Sequence, residues 1–171
     1  MIAIIAAQAK DRVIGKDHRI PWRLASDRVL LKRLTSDSVV VLGRKSYDSM
    51  AWYYDRSGRP MPAKVYIVVT RNKDFAATRD NIRVALSPED ALKIAGELDE
   101  DVYVIGGEKI FDALLPAADR VYLTDIDADI EGDARFPELN TADWTEVERT
   151  HVPQDEKNEY ASDQIVLDRK R

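Results

Sequence analysis

Short apolar runs recur along the chain and predict buried parallel strands. They lie at residues 2–7, 39–42, 65–69 and 102–105, with a shorter run at 84–86. Runs that are continuously apolar, rather than alternating, are typical of strands covered on both faces. Segments with helical spacing separate these runs. The pattern therefore predicts a mostly parallel sheet with helices on both faces and right-handed crossovers.

Helix signals lie between the predicted strands. Leu30, Leu31 and Leu34 share one face of a helix that ends near Leu34, with Ser26 or a neighbour as its cap. Ser87 followed by Pro88 is a strong start for another helix. Two further helices are predicted, one that opens after Gly43 and ends near Met50 and one at residues 108–115.

The remaining segments are predicted to be loops or antiparallel strands. Residues 8–19 form a polar loop, either a flap over a site or a plain connection, with Gly15 as a flexible point. Residues 51–63 are predicted to form an ordered loop. The strand-like runs 144–151 and 162–168 form a hairpin, which makes the last strand antiparallel.

Residues 121–131 alternate between apolar and acidic positions, which predicts an acidic row facing solvent. A calcium loop is excluded there, because Ile130 stands where glycine is needed and Phe136 where the final acid is needed. Thr124 places a hydroxyl group on the inward side of this segment.

Asp27 is the candidate for proton chemistry. It lies three and four residues before Leu30 and Leu31, so its carboxyl group shares their apolar face. Such surroundings favour the neutral acid and raise its pKa, which suits a group that passes a proton near neutral pH. The alternative is an acid that merely complements the helix dipole in the first turn.

Positive and small residues are predicted to collect at one edge of the sheet. In parallel sheets, ligands bind beyond the carboxyl ends of the strands. Three strands end there in the residues Arg44, Lys45 and Ser46, Thr70 and Arg71, and Gly106, Gly107 and Lys109. A strand, a glycine and a helix start together favour an anion, here a ligand with several phosphates. A dinucleotide beside a pocket with a single acid suggests hydride transfer assisted by protonation.

Composition narrows the class of protein. The 171 residues carry a net charge of -5, which argues against a general nucleic-acid binder. Cysteine is absent and there are two histidines, so thiolate chemistry is excluded and a histidine metal site is not expected. No leader or membrane-spanning run is evident. We expect one domain over residues 1–171, cytoplasmic and monomeric, with no metal and no membrane partner.

Several segments together resemble dihydrofolate reductase, in family order over nearly the whole chain. They are MIAIIAA (1–7), DRVIG (11–15), IPWRL (20–24), DRVLLKRLT (27–35), LGRKSY (42–47), VIGG (104–107) and DIEGDARFP (129–137). The resemblance implies a three-layer α/β fold, with a mainly parallel eight-stranded central sheet, an antiparallel C-terminal strand and about four helices. It also implies NADPH-dependent reduction of 7,8-dihydrofolate to tetrahydrofolate, which supplies one-carbon metabolism and thymidylate synthesis.

The resemblance assigns roles to individual residues. Asp27 would promote protonation of N5, Trp22 would order a water molecule, and Ile20 would belong to the loop that closes over the nicotinamide. The substrate would contact Ile5, Ala6, Ala7, Asp27, Arg28, Leu31, Met50, Lys64, Ile105 and Thr124. The cofactor NADPH would contact Ala7, Ile14, Gly15, Gly43, Arg44, Lys45, Ser46, Thr70, Arg71, Asn72, Ile105, Gly106, Gly107, Glu108, Lys109, Ile110 and Phe111.

Two other functions are compatible with parts of this pattern. A reductase of the same fold that acts on a pyrimidine intermediate of riboflavin synthesis would keep the cofactor edge, but it is not expected to carry the Trp22 and Asp27 pair. A non-catalytic nucleotide-binding module would bind NADPH without turnover.

Lys64 departs from the family pattern and generates a prediction. The family usually has an arginine there, which clamps the α-carboxylate of the substrate's glutamate tail. Lysine lacks the bidentate fork, so we expect Lys64→Arg to lower the KM for dihydrofolate. Steady-state kinetics measures this, and a normal KM that Lys64→Arg leaves unchanged would contradict it.

Overall fold

The structure is a computed structural model and describes residues 1–98 and 101–171. Within them lie four α-helices: α1 (Ala25–Thr35), α2 (Arg44–Ser57), α3 (Pro88–Glu97) and α4 (Glu108–Leu114). The strands are β1 (Ile2–Gln8), β2 (Val13–Gly15), β3 (Val39–Gly43), β4 (Val65–Val69), β5 (Ile82–Ala85), β6 (Val102–Val104), β7 (Arg120–Ile126), β8 (Ala134–Arg135), β9 (Trp144–Val152) and β10 (Ser162–Arg169). None of the described helices is long and apolar enough to cross a membrane.

Eight strands form the central sheet in the order β5-β4-β3-β6-β1-β7-β10-β9. Neighbours from β5 to β7 are parallel, whereas β10 is antiparallel to both β7 and β9. Strands β2 and β8 form a separate antiparallel pair. The predicted fold is confirmed, including the antiparallel last strand.

Alternating side chains of the buried strands pack into two cores, one on each face of the sheet. Ile5 packs with Tyr47 and Ala51 of α2 on one face. Its neighbour Ile4, which is fully buried, packs with Ala91 of α3 on the other face. Helices α1 and α2 therefore cover one face and α3 and α4 the other, which gives the three layers.

The predicted end of α2 near Met50 is wrong. The helix continues to Ser57 and ends at Gly58, whose positive φ of 66° suits a helix C-terminus. Residues 51–63 are predicted to form an ordered loop, but their aromatic residues lie on α2, where Trp52 and Tyr53 are exposed. Gly58 is the better signal for the end of the helix.

Two other local predictions are wrong in part. The segment 8–19 is not a plain loop, because Val13–Gly15 pairs with Ala134–Arg135. The alternating segment 121–131 forms a strand only as far as Ile126, although half-buried and exposed residues continue to alternate beyond it. Both differences come from pairing between segments that are distant in sequence, which periodicity does not report.

Capping of α3 yields a stability prediction. Ser87 Oγ accepts a hydrogen bond from the Asp90 backbone N–H at 3.1 Å, as the sequence predicted. We expect Ser87→Ala to lower the free energy of unfolding by about 1 kcal/mol, and Ser87→Gly by only a few tenths. Urea unfolding with an unchanged m-value measures both variants. Equal losses in the two variants would contradict a capping role.

Candidate active site

Asp27 and Thr124 meet where the first turn of α1 lies against β7. Thr124 Oγ1 donates a hydrogen bond to Asp27 Oδ1 at 2.8 Å. Thr124 is 1% exposed and lies opposite Ala7 of β1 in the sheet register. The carboxyl group therefore has a fixed, neutral hydrogen-bond donor beneath it.

Burial raises the pKa of the Asp27 carboxyl group. Removal from water outweighs both the hydrogen bond from Thr124 and the charge of Arg28, which lower the pKa. Arg28 itself is exposed, so water screens its charge. The predicted direction of the shift is confirmed, and the neutral acid remains populated at a higher pH than for an ordinary aspartate.

Trp22 lies in a buried apolar cluster before α1, whereas Ile20 extends into solvent. Trp22 is 9% exposed and packs with Val13, Leu24 and other apolar residues. Its Nε1 is buried and has no hydrogen-bond acceptor among the described residues. Ile20, two residues earlier, is 67% exposed. The loop thus presents one buried polar donor and one exposed apolar side chain.

Apolar side chains from β1, α1, α2 and the residue after β6 lie on the same face of the sheet as Asp27. Ile5 belongs to the core cluster against which Leu31, Met50 and Ile105 pack while remaining half-buried. Half-buried apolar side chains in one group are typical of a pocket wall that contacts a ligand. The structure therefore brings these four residues together, and their contact with a substrate stays a prediction.

Glycines bring the backbone of neighbouring strand ends close together. The Gly43 N–H donates to the Gly106 carbonyl at 2.8 Å. A Cβ atom on Gly43 would lie 3.3 Å from Ile110 Cγ1, and one on Gly107 would lie 3.5 Å from Ser46 Oγ. Helices α2 and α4 begin directly after these glycines, so free backbone N–H groups face this edge.

Cationic side chains lie at the same edge. Arg44, Lys45, Arg71 and Lys109 are all exposed. Lys45 Nζ lies 3.4 Å from His18 Nε2, so two basic groups converge at the start of α2. Arg44 is 3.6 Å from Asp48, a weak exposed pair that leaves its charge largely available. Positive charge beside two helix starts is suited to phosphate groups.

Thr70 and Asn72 shape the third strand end. Thr70, which is 8% exposed, accepts a hydrogen bond from the Asn72 N–H at 3.1 Å. Asn72 in turn accepts one from the Asp74 N–H at 3.0 Å. The turn after β4 is therefore ordered beside Arg71.

Some predicted contact residues direct their side chains elsewhere. Ala6, Ile110 and Phe111 pack in the core on the α3 and α4 face. Glu108 Oε1 accepts a hydrogen bond from the Arg135 N–H at 3.0 Å. A role of these residues toward a ligand would therefore depend on their backbone or on packing. Their side chains differ in direction from the predicted contacts because successive residues of a strand or helix face different sides.

The acidic row after β7 does more than face solvent. Glu131 pairs with Lys16 at 3.2 Å, and Asp133 Oδ2 accepts a hydrogen bond from the Asp17 N–H at 3.0 Å. Between them, Gly132 is required, because a Cβ atom there would lie 2.2 Å from Val13 Cγ1. The row thus anchors the loop that carries Ile14 and Gly15. Among the described residues, no group of acids or histidines forms a metal site.

The prediction that the side chain of Ser26 or a neighbour caps α1 is wrong. Leu24 occupies the N-cap position, and its side chain makes no capping hydrogen bond. Instead, the Ser26 N–H donates to Asn158 Oδ1 at 3.0 Å, across 132 positions of sequence. Sequence reasoning missed Asn158, because no local pattern connects the two segments.

Comparisons with known proteins agree with this geometry. The family model for dihydrofolate reductase matches residues 1–169. Dihydrofolate reductase type 3 of Salmonella typhimurium is 39% identical over 171 residues, which covers 100% of this chain and 99% of that protein. The dihydrofolate reductase of Staphylococcus haemolyticus is 40% identical over 159 residues, with 93% and 90% covered.

A solved structure shows the same architecture. The dihydrofolate reductase from Enterococcus faecalis, complexed with NADP(H) and RAB-propyl, superimposes with a TM-score of 0.85 at 34% identity. The match covers 100% of this chain and 97% of that one. The chain belongs to the dihydrofolate reductase family, and the prediction of an enzyme of this class is confirmed.

Proposed function

We propose that this enzyme reduces 7,8-dihydrofolate to 5,6,7,8-tetrahydrofolate with a hydride to C6 and a proton to N5. The contact between Asp27 and Thr124 carries the proposal. It puts one half-buried acid on the same face of the sheet as a group of half-buried apolar side chains, at the edge where glycines and cations collect. The pKa of Asp27 is raised by burial, the direction that suits a group which transfers a proton.

The residues at the cationic edge fit NADPH, which supplies the hydride when bound. Gly106, Gly107 and Ser46 would lie along the diphosphate. Gly106 has a positive φ of 118°, and a Cβ atom there would lie 3.3 Å from the Phe111 ring, so this turn favours glycine. Arg44 or Arg71 would hold the 2′-phosphate, which explains a preference for NADPH over NADH. The helix starts favour the same negative charge.

Asp27 holds the substrate ring and promotes protonation of N5. Its neutral form donates a hydrogen bond, and its ionised form accepts one, so both states bind a ring that carries N–H groups and ring nitrogens. Thr124 keeps the carboxyl group in one orientation. The raised pKa keeps the carboxyl group protonated to a higher pH than that of an ordinary aspartate.

Trp22 and Ile20 complete the site from the loop. The buried Nε1 of Trp22 supplies a donor for a water molecule or a ring atom in the pocket. Ile20 exposes 67% of its surface and would bury it by closing over the nicotinamide. Closure of this kind excludes water from the reacting atoms. We further propose that residues 1–171 act as one domain, as a monomer in the cytoplasm.

The first test is the loss of NADPH absorbance on adding dihydrofolate to the pure protein. We expect rapid loss with NADPH and much slower loss with NADH, because the 2′-phosphate contributes to binding at the cationic edge. Tight NADPH binding without turnover would favour a silent binding module. Turnover of a pyrimidine intermediate of riboflavin synthesis in place of dihydrofolate would favour the other reductase.

The Asp27→Asn variant tests the proton step. We expect turnover at neutral pH to fall by roughly 100-fold or more, with partial recovery in acid where solvent protonates N5. The variant should also be more stable than the unmodified protein at neutral pH. Because the folded-state pKa of Asp27 is raised, its contribution to the free energy of unfolding is full below pH 3.8, the ordinary pKa of aspartate. This contribution is lost as the pH rises through the raised pKa of the folded state.

The matched control is Asp37→Asn. Asp37 is exposed and has a positive φ of 58°, which asparagine tolerates. We expect it to leave turnover at neutral pH unchanged. Stopped-flow absorbance measures turnover of both variants, and urea unfolding at several pH values measures the stability of Asp27→Asn. Full activity of Asp27→Asn at neutral pH would contradict the assignment.

A further inference from the structure

Helix α1, which carries Asp27, takes its N-terminal cap from the far end of the chain. The first N–H groups of a helix have no partner within it. In α1 the Ala25 N–H donates to the Lys157 carbonyl at 3.1 Å, and the Ser26 N–H donates to Asn158 Oδ1 at 3.0 Å. We name residues 153–161, which connect β9 to β10, the capping loop.

Asn158 is held rigidly as an acceptor. It is 6% exposed. Its backbone N–H and its Nδ2 both donate to Asp155 Oδ1, at 2.7 Å and 3.0 Å. The Lys157 N–H donates to the same oxygen at 2.8 Å, and these backbone bonds lower the pKa of Asp155, which therefore stays ionised. The side chain of Asn158 is thus oriented before it meets α1.

The capping loop also holds the residues that precede α1. The Glu159 N–H donates to the Arg23 carbonyl at 3.0 Å, and the Arg23 N–H donates to Glu159 Oε2 at 3.1 Å. Leu24 and Asn158 form a β-bridge between these contacts. The backbone between Trp22 and Asp27 is therefore fixed at successive residues.

The same strand pair supports both partners of the Asp27 contact. Thr124 lies on β7, directly opposite Gln164 of β10. Gln164 Nε2 donates to the Ser26 carbonyl at 3.4 Å, on the residue next to Asp27. A displacement of the first turn of α1 away from β10 would therefore separate Asp27 from Thr124 and admit water.

We propose that Asn158 is a positioning residue, which holds the first turn of α1 so that Asp27 stays desolvated against Thr124. This rests on the proposed role of Asp27 in proton transfer. The charged groups around the contact are Arg28 on α1, Arg23 before it, and Asp155, Lys157 and Glu159 on the capping loop. Thr124 and Gln164, from β7 and β10, are neutral.

The test compares Asn158→Ala with Asn140→Ala. Asn140 is exposed and also accepts a backbone N–H, that of Ala142 at 3.0 Å, so it is a matched control from another loop. In Asn158→Ala, we expect the rate of hydride transfer at neutral pH to fall roughly tenfold. The midpoint of its pH profile should move down by about half a unit, because water then reaches Asp27. NADPH affinity should not change.

Three results would overturn the proposal. They are an unshifted pH profile in Asn158→Ala, an equal shift in Asn140→Ala, and a loss of NADPH affinity in step with the loss of rate. The last result would show general loosening of the fold. Should Asn158→Ala fail to fold, Asp155→Ala carries the same test, since it keeps Asn158 but removes its anchor. We expect a smaller shift there in the same direction.

A double variant separates this proposal from the proposed function. In the Asp27→Asn background, Asn158→Ala should have no further effect on the rate, because the group through which it acts is gone. A persistent effect in that background would overturn the positioning role alone. Full activity of Asp27→Asn by itself would instead overturn the proposed proton step.

Discussion

Withdrawal of one carboxyl group from water determines the arrangement of much of this site. An ionised carboxyl group is costly to remove from water unless it is paired or hydrogen-bonded, so burial favours its protonated form. Here a single hydroxyl group, that of Thr124, supports Asp27 from the sheet, and α1 holds it from the other side. The cost of burial appears as a raised pKa of the Asp27 carboxyl group.

The parallel sheet brings this acid and the cationic edge together. Strand β1 lies between β6 and β7, so the strand ends that carry Gly106 and Thr124 are separated by one strand. The proposed substrate and cofactor sites would thus be neighbours although their residues come from both halves of the chain. Two cores, one on each face of the sheet, keep these strand ends in fixed register.

The sequence predicted those features that depend on neighbours along the chain. Local spacing predicts which strands are buried, the Ser87 cap and the apolar face that Asp27 shares with Leu31. The resemblance to the family added the site residues. The long α2, the pairing of Val13–Gly15 and the cap from Asn158 were missed. In the last two, the partner lies more than a hundred positions away, and no period or motif within one segment records such a contact. For α2, the aromatic composition of the segment favoured a loop, whereas Gly58 marks the actual end of the helix.

The position of β1 has a consequence for synthesis of the protein. This first strand pairs with β6 and β7, which the ribosome produces only after residue 101. The strand β1 therefore remains unpaired until more than half of the chain has been synthesised, and the residues that cap α1 are synthesised later still. Non-local pairing of this kind slows folding and leaves nascent chains exposed to aggregation. The cap on α1 can therefore form only after residues 157 and 158 have been synthesised, long after the helix itself.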